Sequence, residues 1–168
     1  MQSSLPNQTI GCIGKCTSGL SIHELDQITD NIHKTLTHRR GREIFRNFLE
    51  QRGLSDNLKC LALYETCLQI ITEETNFSHS KKGTTPESLI NRVIQVKEMV
   101  EDLNGVRQID MALLKRFNEA LNSDSRTQDF VTSLLSILAD TKDLCRDHLN
   151  HVHENFKEYA SKPCPIIK

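Results

Sequence analysis

The stretch LTHRRGREIFRNFLEQRGLSDNLKCLALYETC, Leu36 to Cys67, decides the fold class. Ile44, Phe45, Phe48 and Leu49 recur at the spacing that puts them on one side of a helix over about Gly41 to Arg52. Gly53 suits the left-handed position that ends such a helix, and Ser55 suits the cap of the next. That next helix carries Leu58, Leu61, Ala62, Tyr64, Leu68 and Ile71 and is expected to reach Glu73. Two amphipathic helices joined by a glycine turn need further helices to cover their apolar sides.

The rest of the chain supplies them. Upstream, Ser21-Ile-His-Glu24 has the form of a capping box, followed by Ile22, Leu25, Ile28, Ile32 and Leu36 at helical spacing. Downstream, residues 75–84 form a polar loop, and Thr85-Pro86-Glu87 restarts a helix with a cap, a proline at its first position and an acid in its first turn. Leu89, Val93, Val96, Val100 and Leu103 follow as two heptads, too short for a long coiled coil and suited to a bundle core. Asn104-Gly105 stops that helix. Three more are expected, over about Asp110–Leu121, Thr127–Ala139 and Thr141–Ala160, with Asn122 to Ser125 as a turn. No segment alternates with period two for long, so the expected class is all-α, a bundle of about seven helices. Residues 1–20 are expected as a flexible leader, 21–160 as the helical domain and 161–168 as a flexible tail. Phe45, Phe48, Leu49, Leu61, Phe130 and Phe156 are the expected core.

Composition narrows the function. Lys and Arg number 21 and Asp and Glu 22, a net charge of −1, so the basic excess behind nonspecific nucleic-acid binding is missing. Aromatic residues make up 5% and tryptophan is absent, which argues against base-stacking platforms. No apolar run is long enough for a membrane span. The first residues show no charged segment followed by an apolar one, so no signal peptide is expected. The 168 residues include six cysteines, at 12, 16, 60, 67, 145 and 164, with no C-x-x-C pair. That spacing excludes a zinc ribbon and fits reduced thiols in a cytoplasmic protein. The sequons Asn7-Gln-Thr and Asn76-Phe-Ser matter only for a secreted chain.

Enzyme signatures are thin: no phosphate-binding glycine loop, dinucleotide fingerprint or H-E-x-x-H. Asp147, His148, His151 and His153 in the last helix are the one cluster with metal-ligand spacing, but no second ligand pair completes it, so neither metal nor cofactor is expected. Arg39, Arg40 and Arg42, with Arg46 a turn on, form the densest basic patch, suited to an acidic or helical peptide or to anionic lipid headgroups. Cys12 and Cys16 are candidates for palmitoylation, which together with that patch would make a membrane-recruited helical adaptor.

The opening stretch also resembles the first helices of regulator-of-G-protein-signalling (RGS) domains, and IHKTLTHRRGREIFRNFLEQRG is most similar to the axin branch. The family pattern of Gly, three positions, Phe-x-x-Phe-Leu, then a Ser/acid-rich turn ending in Asn and an apolar residue is met by Gly41, Phe45, Phe48-Leu49 and Ser55-Asp56-Asn57-Leu58. Gln108-Ile109-Asp110, Phe130 and the run Asp143 to Leu149 continue it more weakly, so that the resemblance covers about 25–160. It implies a two-lobed all-α bundle of about seven to nine helices. It also implies binding of a Gα subunit through Asp56, Asn57, Gln108, Asp110, Asp143 and Asp147, all expected in turns or at helix ends, with Asp143 in the place of the acid of the family's last contact loop. Gln108 stands where the family has Asn, Leu144 where it has Ser, Asp147 where it has Arg, and Leu61 near the place of its core Trp. Those departures imply binding with weak or absent GTPase activation. An axin-like scaffold that docks a peptide on the arginine patch is the alternative.

Overall fold

The computed structural model describes residues 19–79, 86–103, 106, 109–123 and 128–162. Seven helices and no strand occur among them: α1 Ile22–Ile28, α2 Ile32–Thr37, α3 Arg39–Gln51, α4 Ser55–His79, α5 Pro86–Glu101, α6 Met111–Leu121 and α7 Gln128–Ala160. The class is all-α, as the periodicity requires.

The count matches expectation only because two differences offset each other. The single helix expected from Ser21 is split. Its start holds, with Ser21 Oγ accepting from Glu24 N at 3.1 Å while Ser21 N donates to Glu24 Oε1 at 2.9 Å. The split falls at Thr29-Asp30-Asn31. Thr29 Oγ1 bonds back to Leu25 O at 2.8 Å, and Asn31 Oδ1 caps α2 by accepting from Lys34 N at 2.9 Å. Conversely, the break expected between Ala139 and Thr141 does not occur. This stretch holds no glycine or proline, the buried Thr141 hydroxyl donates to Ile137 O at 2.7 Å, and the apolar seam runs on through Leu138, Cys145 and Leu149. α4 also extends past Glu73 to His79, because Thr75-Asn-Phe-Ser-His79 lacks a helix breaker and Arg92 of α5 grips Glu73 at 2.6 Å. Most of the expected leader and tail, with Cys12, Cys16 and Cys164, lies outside the described residues, as do Thr85 and Asn104-Gly105.

The chain divides into two compact units, one combining residues 1–58 with 149–168 and the other spanning 59–148. In the first unit Ile44, Phe45, Phe48 and Leu49 of α3 and Leu149 and Phe156 of α7 are all buried. Phe156 stacks on Phe45 at 4.8 Å and on Phe48 at 5.5 Å between ring centroids. Gly53 ends α3 with φ of +66°. Its N–H donates to Glu50 O at 3.1 Å and that of Leu54 to Leu49 O at 3.0 Å, the paired bonds of a Schellman turn. In the second unit the heptad residues Leu89, Val93, Val96, Val100 and Leu103 are all buried, as are Leu61, Phe117 and Phe130. All six expected core residues are no more than 1% exposed.

Candidate functional site

The Schellman turn after α3 feeds directly into α4, so Asp56 and Asn57 fall in its first turn, Asp56 exposed and Asn57 half-buried. An acid there complements the positive helix end. Phe48 and Leu49, a turn earlier in α3, are buried. Arg52, at the C-cap of α3, lays its guanidinium over the rings of Phe48 at 5.1 Å and Tyr159 at 5.2 Å. This Arg52 stack was not legible in the sequence, since Tyr159 lies more than a hundred positions away.

In the second unit, Asp110 is the N-cap of α6. Its Oδ1 accepts from Leu113 N at 3.1 Å, so part of its carboxylate is committed to the helix. Lys59 of α4 reaches Asp102 at 3.2 Å, which pins the end of α5 beside the start of α4 within that unit. Gln108 lies outside the described residues.

Asp143 and Asp147 depart from expectation. The resemblance puts Asp143 in a loop and both acids in turns or at helix ends. Both belong to the uninterrupted interior of α7, flanking Arg146 at 3.4 and 3.9 Å. Asp143, one helical turn before Arg146, is partly neutralised by it.

The arginine patch is also changed by its surroundings. Arg42 Nη1 donates to Leu36 O at 2.7 Å, closing off the carboxyl end of α2. Arg46 is half-buried. Arg39, Glu43, Arg46 and Glu50 share one helical face at 4-3-4 spacing, with Arg39 3.9 Å from Glu43. The exposed side of α3 therefore alternates in sign. Arg40 and the loosely paired Arg39 are what remains of a basic patch.

No three His, Cys, Asp or Glu side chains group at metal-binding geometry among the described residues. His153 is 2% exposed, whereas His151 is exposed and His148 half-buried. The second unit also carries an open groove of about 490 Å³ between α6 and α7, lined by Arg116, Glu119, Ser123, Ser133 and Ser136 among others. It contains none of the expected binding residues. Its edge is fixed by an Arg116–Asp140 ion pair at 2.6 Å.

No protein-family model, curated protein or solved structure matches this chain.

The buried thiols Cys60, Cys67 and Cys145 meet in the second unit. Burial pushes the Cys67 thiol up to about 12. Cys145 is raised by its hydrogen bond with Cys60, then by burial. Since the thiolate is the nucleophile, iodoacetamide at pH 8 should leave these three unmodified in the native protein and alkylate all six cysteines of the chain in denaturant. Mass spectrometry of peptides reads this directly, and rapid native labelling of Cys67 would contradict the packing described.

Proposed function

We propose that this chain is an RGS-type protein-interaction domain that binds a Gα subunit through the turn Gly53–Asn57 and does not accelerate GTP hydrolysis. One observation supports the reading: the glycine, the apolar residues and the acid–amide pair of the opening pattern occupy places that suit such a domain, although Ser55 begins α4 instead of capping it. Gly41 sits where a side chain has no room, Phe45, Phe48 and Leu49 are buried, and Asp56 and Asn57 are held at the start of α4 above them. A regulator of this kind works by holding switch segments in place and adds no nucleophile.

The same geometry argues against catalysis. Asp143, in the place of the acid of the family's last loop, is held inside α7 next to Arg146, and a helix interior cannot reach a switch segment as a loop does. Gln108 and Asp147 add a longer amide and a reversed charge. The scaffold reading is favoured by Arg39 and Arg40 alone, because Arg42 serves α2.

The decisive test is binding to Gα·GDP·AlF₄⁻ against Gα·GDP, with single-turnover GTP hydrolysis measured alongside. Preference for the AlF₄⁻ form with no faster hydrolysis is expected. Asn57→Ala should weaken binding by about 1–3 kcal/mol, the scale of a lost buried or charged hydrogen bond. Asp143→Ala and Arg40→Ala should change it little. Absence of binding sinks the reading, and binding of an acidic peptide abolished by Arg39→Ala with Arg40→Ala supports the scaffold instead.

A further inference from the structure

His153 is a buried ionisable group that the proposed binding face does not use. Thr35 Oγ1 lies 2.8 Å from Ile28 O and 2.7 Å from His153 Nε2. A hydroxyl has one proton, and a carbonyl can only accept, so Thr35 donates to Ile28 and accepts from His153. Nε2 therefore carries the ring hydrogen. The resulting chain of bonds runs from α7 through α2 to the end of α1. Thr35 is fully buried, and the imidazole packs against Phe45 of α3 at 5.9 Å and Phe156 at 5.5 Å.

The charged groups near the ring are few. α7 brings Glu154 and Lys157, the α1–α2 turn brings Asp30, and α3 presents the Phe45 ring. Asp30 is shared between Lys34 at 3.5 Å and Lys157 at 3.6 Å, so little of its charge is left to stabilise an imidazolium. α2 contributes Lys34 and the neutral Thr35. No carboxylate hydrogen-bonds the ring among the described contacts.

We propose that His153 is a proton-operated latch, and that its protonation releases the α1–α2 segment from α7. The hydrogen bond to Thr35 survives protonation, because Nε2 remains a donor. What fails is solvation: a charged ring between two phenyl rings has lost its water. Burial holds the group down to about 4, against about 6.5 when free. The closed form thus binds fewer protons than the open form. Its advantage is complete above the free value and is lost as pH falls toward 4. At pH 5 the open form should be favoured about 30-fold more than at pH 7.5. The inference is independent of the Gα reading.

The test is amide hydrogen exchange at pH 7.5 and 5.0, corrected for intrinsic rates, with an NMR titration of the histidine rings. Wild-type residues 22–37 should lose about 30-fold in protection at pH 5, while α5 and α6 do not change. His153→Gln, which keeps a donor and cannot charge, should lose less than about threefold. His153 should titrate well below the free-imidazole value of about 6.5. The proposal is overturned if His153 titrates near 6.5, if the glutamine variant opens as much as wild type, or if α5 and α6 open in parallel. Should that variant fail to fold, the wild-type titration and segmental exchange decide alone.

Discussion

Phe156→Ala is expected to remove about 3–5 kcal/mol of stability, the range for emptying a fully buried phenylalanine site. Phe156 is 0% exposed, and its ring meets Phe45 at 4.8 Å, Phe48 at 5.5 Å and His153 at 5.5 Å. Its ring neighbours Phe45 and Phe48 belong to α3 and His153 to α7, so the cavity would open between two helices. Each lost aromatic pair adds about 0.5–1.5 kcal/mol to the area term. Phe48→Ala belongs in the same range and also strips the Arg52 guanidinium of one of its two rings. Since domains of this size hold only about 5–15 kcal/mol in total, either change should move the urea midpoint far to the left with the slope nearly constant. A loss below about 1 kcal/mol for Phe156 would mean that the α3–α7 packing described here is wrong.

The parts of the fold that were legible are those fixed by local chemistry. The Ser21–Glu24 capping box, the Gly53 stop and the heptad seam of α5 each involve residues within a few positions of one another, and each is found as read. The misplaced boundaries depend on competition between weak local signals. Thr141 and Asp140 favour helix ends in isolation, but here the Thr141 hydroxyl is satisfied inside the helix and the seam of Ile137, Leu138 and Cys145 holds α7 together. Thr29, Asp30 and Asn31 won the opposite contest, because three short polar side chains in succession offer the backbone caps on both sides of a break.

The candidate site follows the same division. Asp56 and Asn57 follow a turn whose geometry Gly53 sets, and they lie in the first turn of α4. The placement of Asp143 depended on a loop that the chain does not make. The role of Arg42 depended on a carbonyl at the end of the preceding helix, a contact that charge counting cannot show. Sequence proximity groups His153 with His148 and His151, yet positions 151 and 153 lie about 200° apart on a helix, and the partner that defines His153 is Thr35.

Gly41→Ala should also destabilise, although helix propensity alone predicts the opposite. Gly41 lies within α3 without a positive φ, so alanine there would gain about 1 kcal/mol of propensity. Against this, a Cβ on Gly41 would stand 2.5 Å from Thr35 O and 3.2 Å from Thr35 C. Both are backbone atoms at the end of α2 and cannot rotate away. Overpacking of this kind costs about 1–3 kcal/mol, occasionally more. Thr35 cannot yield freely, because its hydroxyl is bonded to Ile28 O and His153 Nε2. Straining those two bonds adds about 1 kcal/mol each at most. The net expectation is a loss of about 2–3 kcal/mol for alanine and more for valine. Gly53→Ala separates steric from conformational causes. A Cβ there meets nothing within 4 Å, but the φ of +66° is left-handed, so the loss should be about 1–2 kcal/mol with no effect on α2. The two glycines should therefore differ in kind: Gly41→Ala should also lower the amide protection of residues 32–37, and Gly53→Ala should not. A Gly41→Ala variant that melts at or above wild type would show that propensity wins and that α2 can move away from α3.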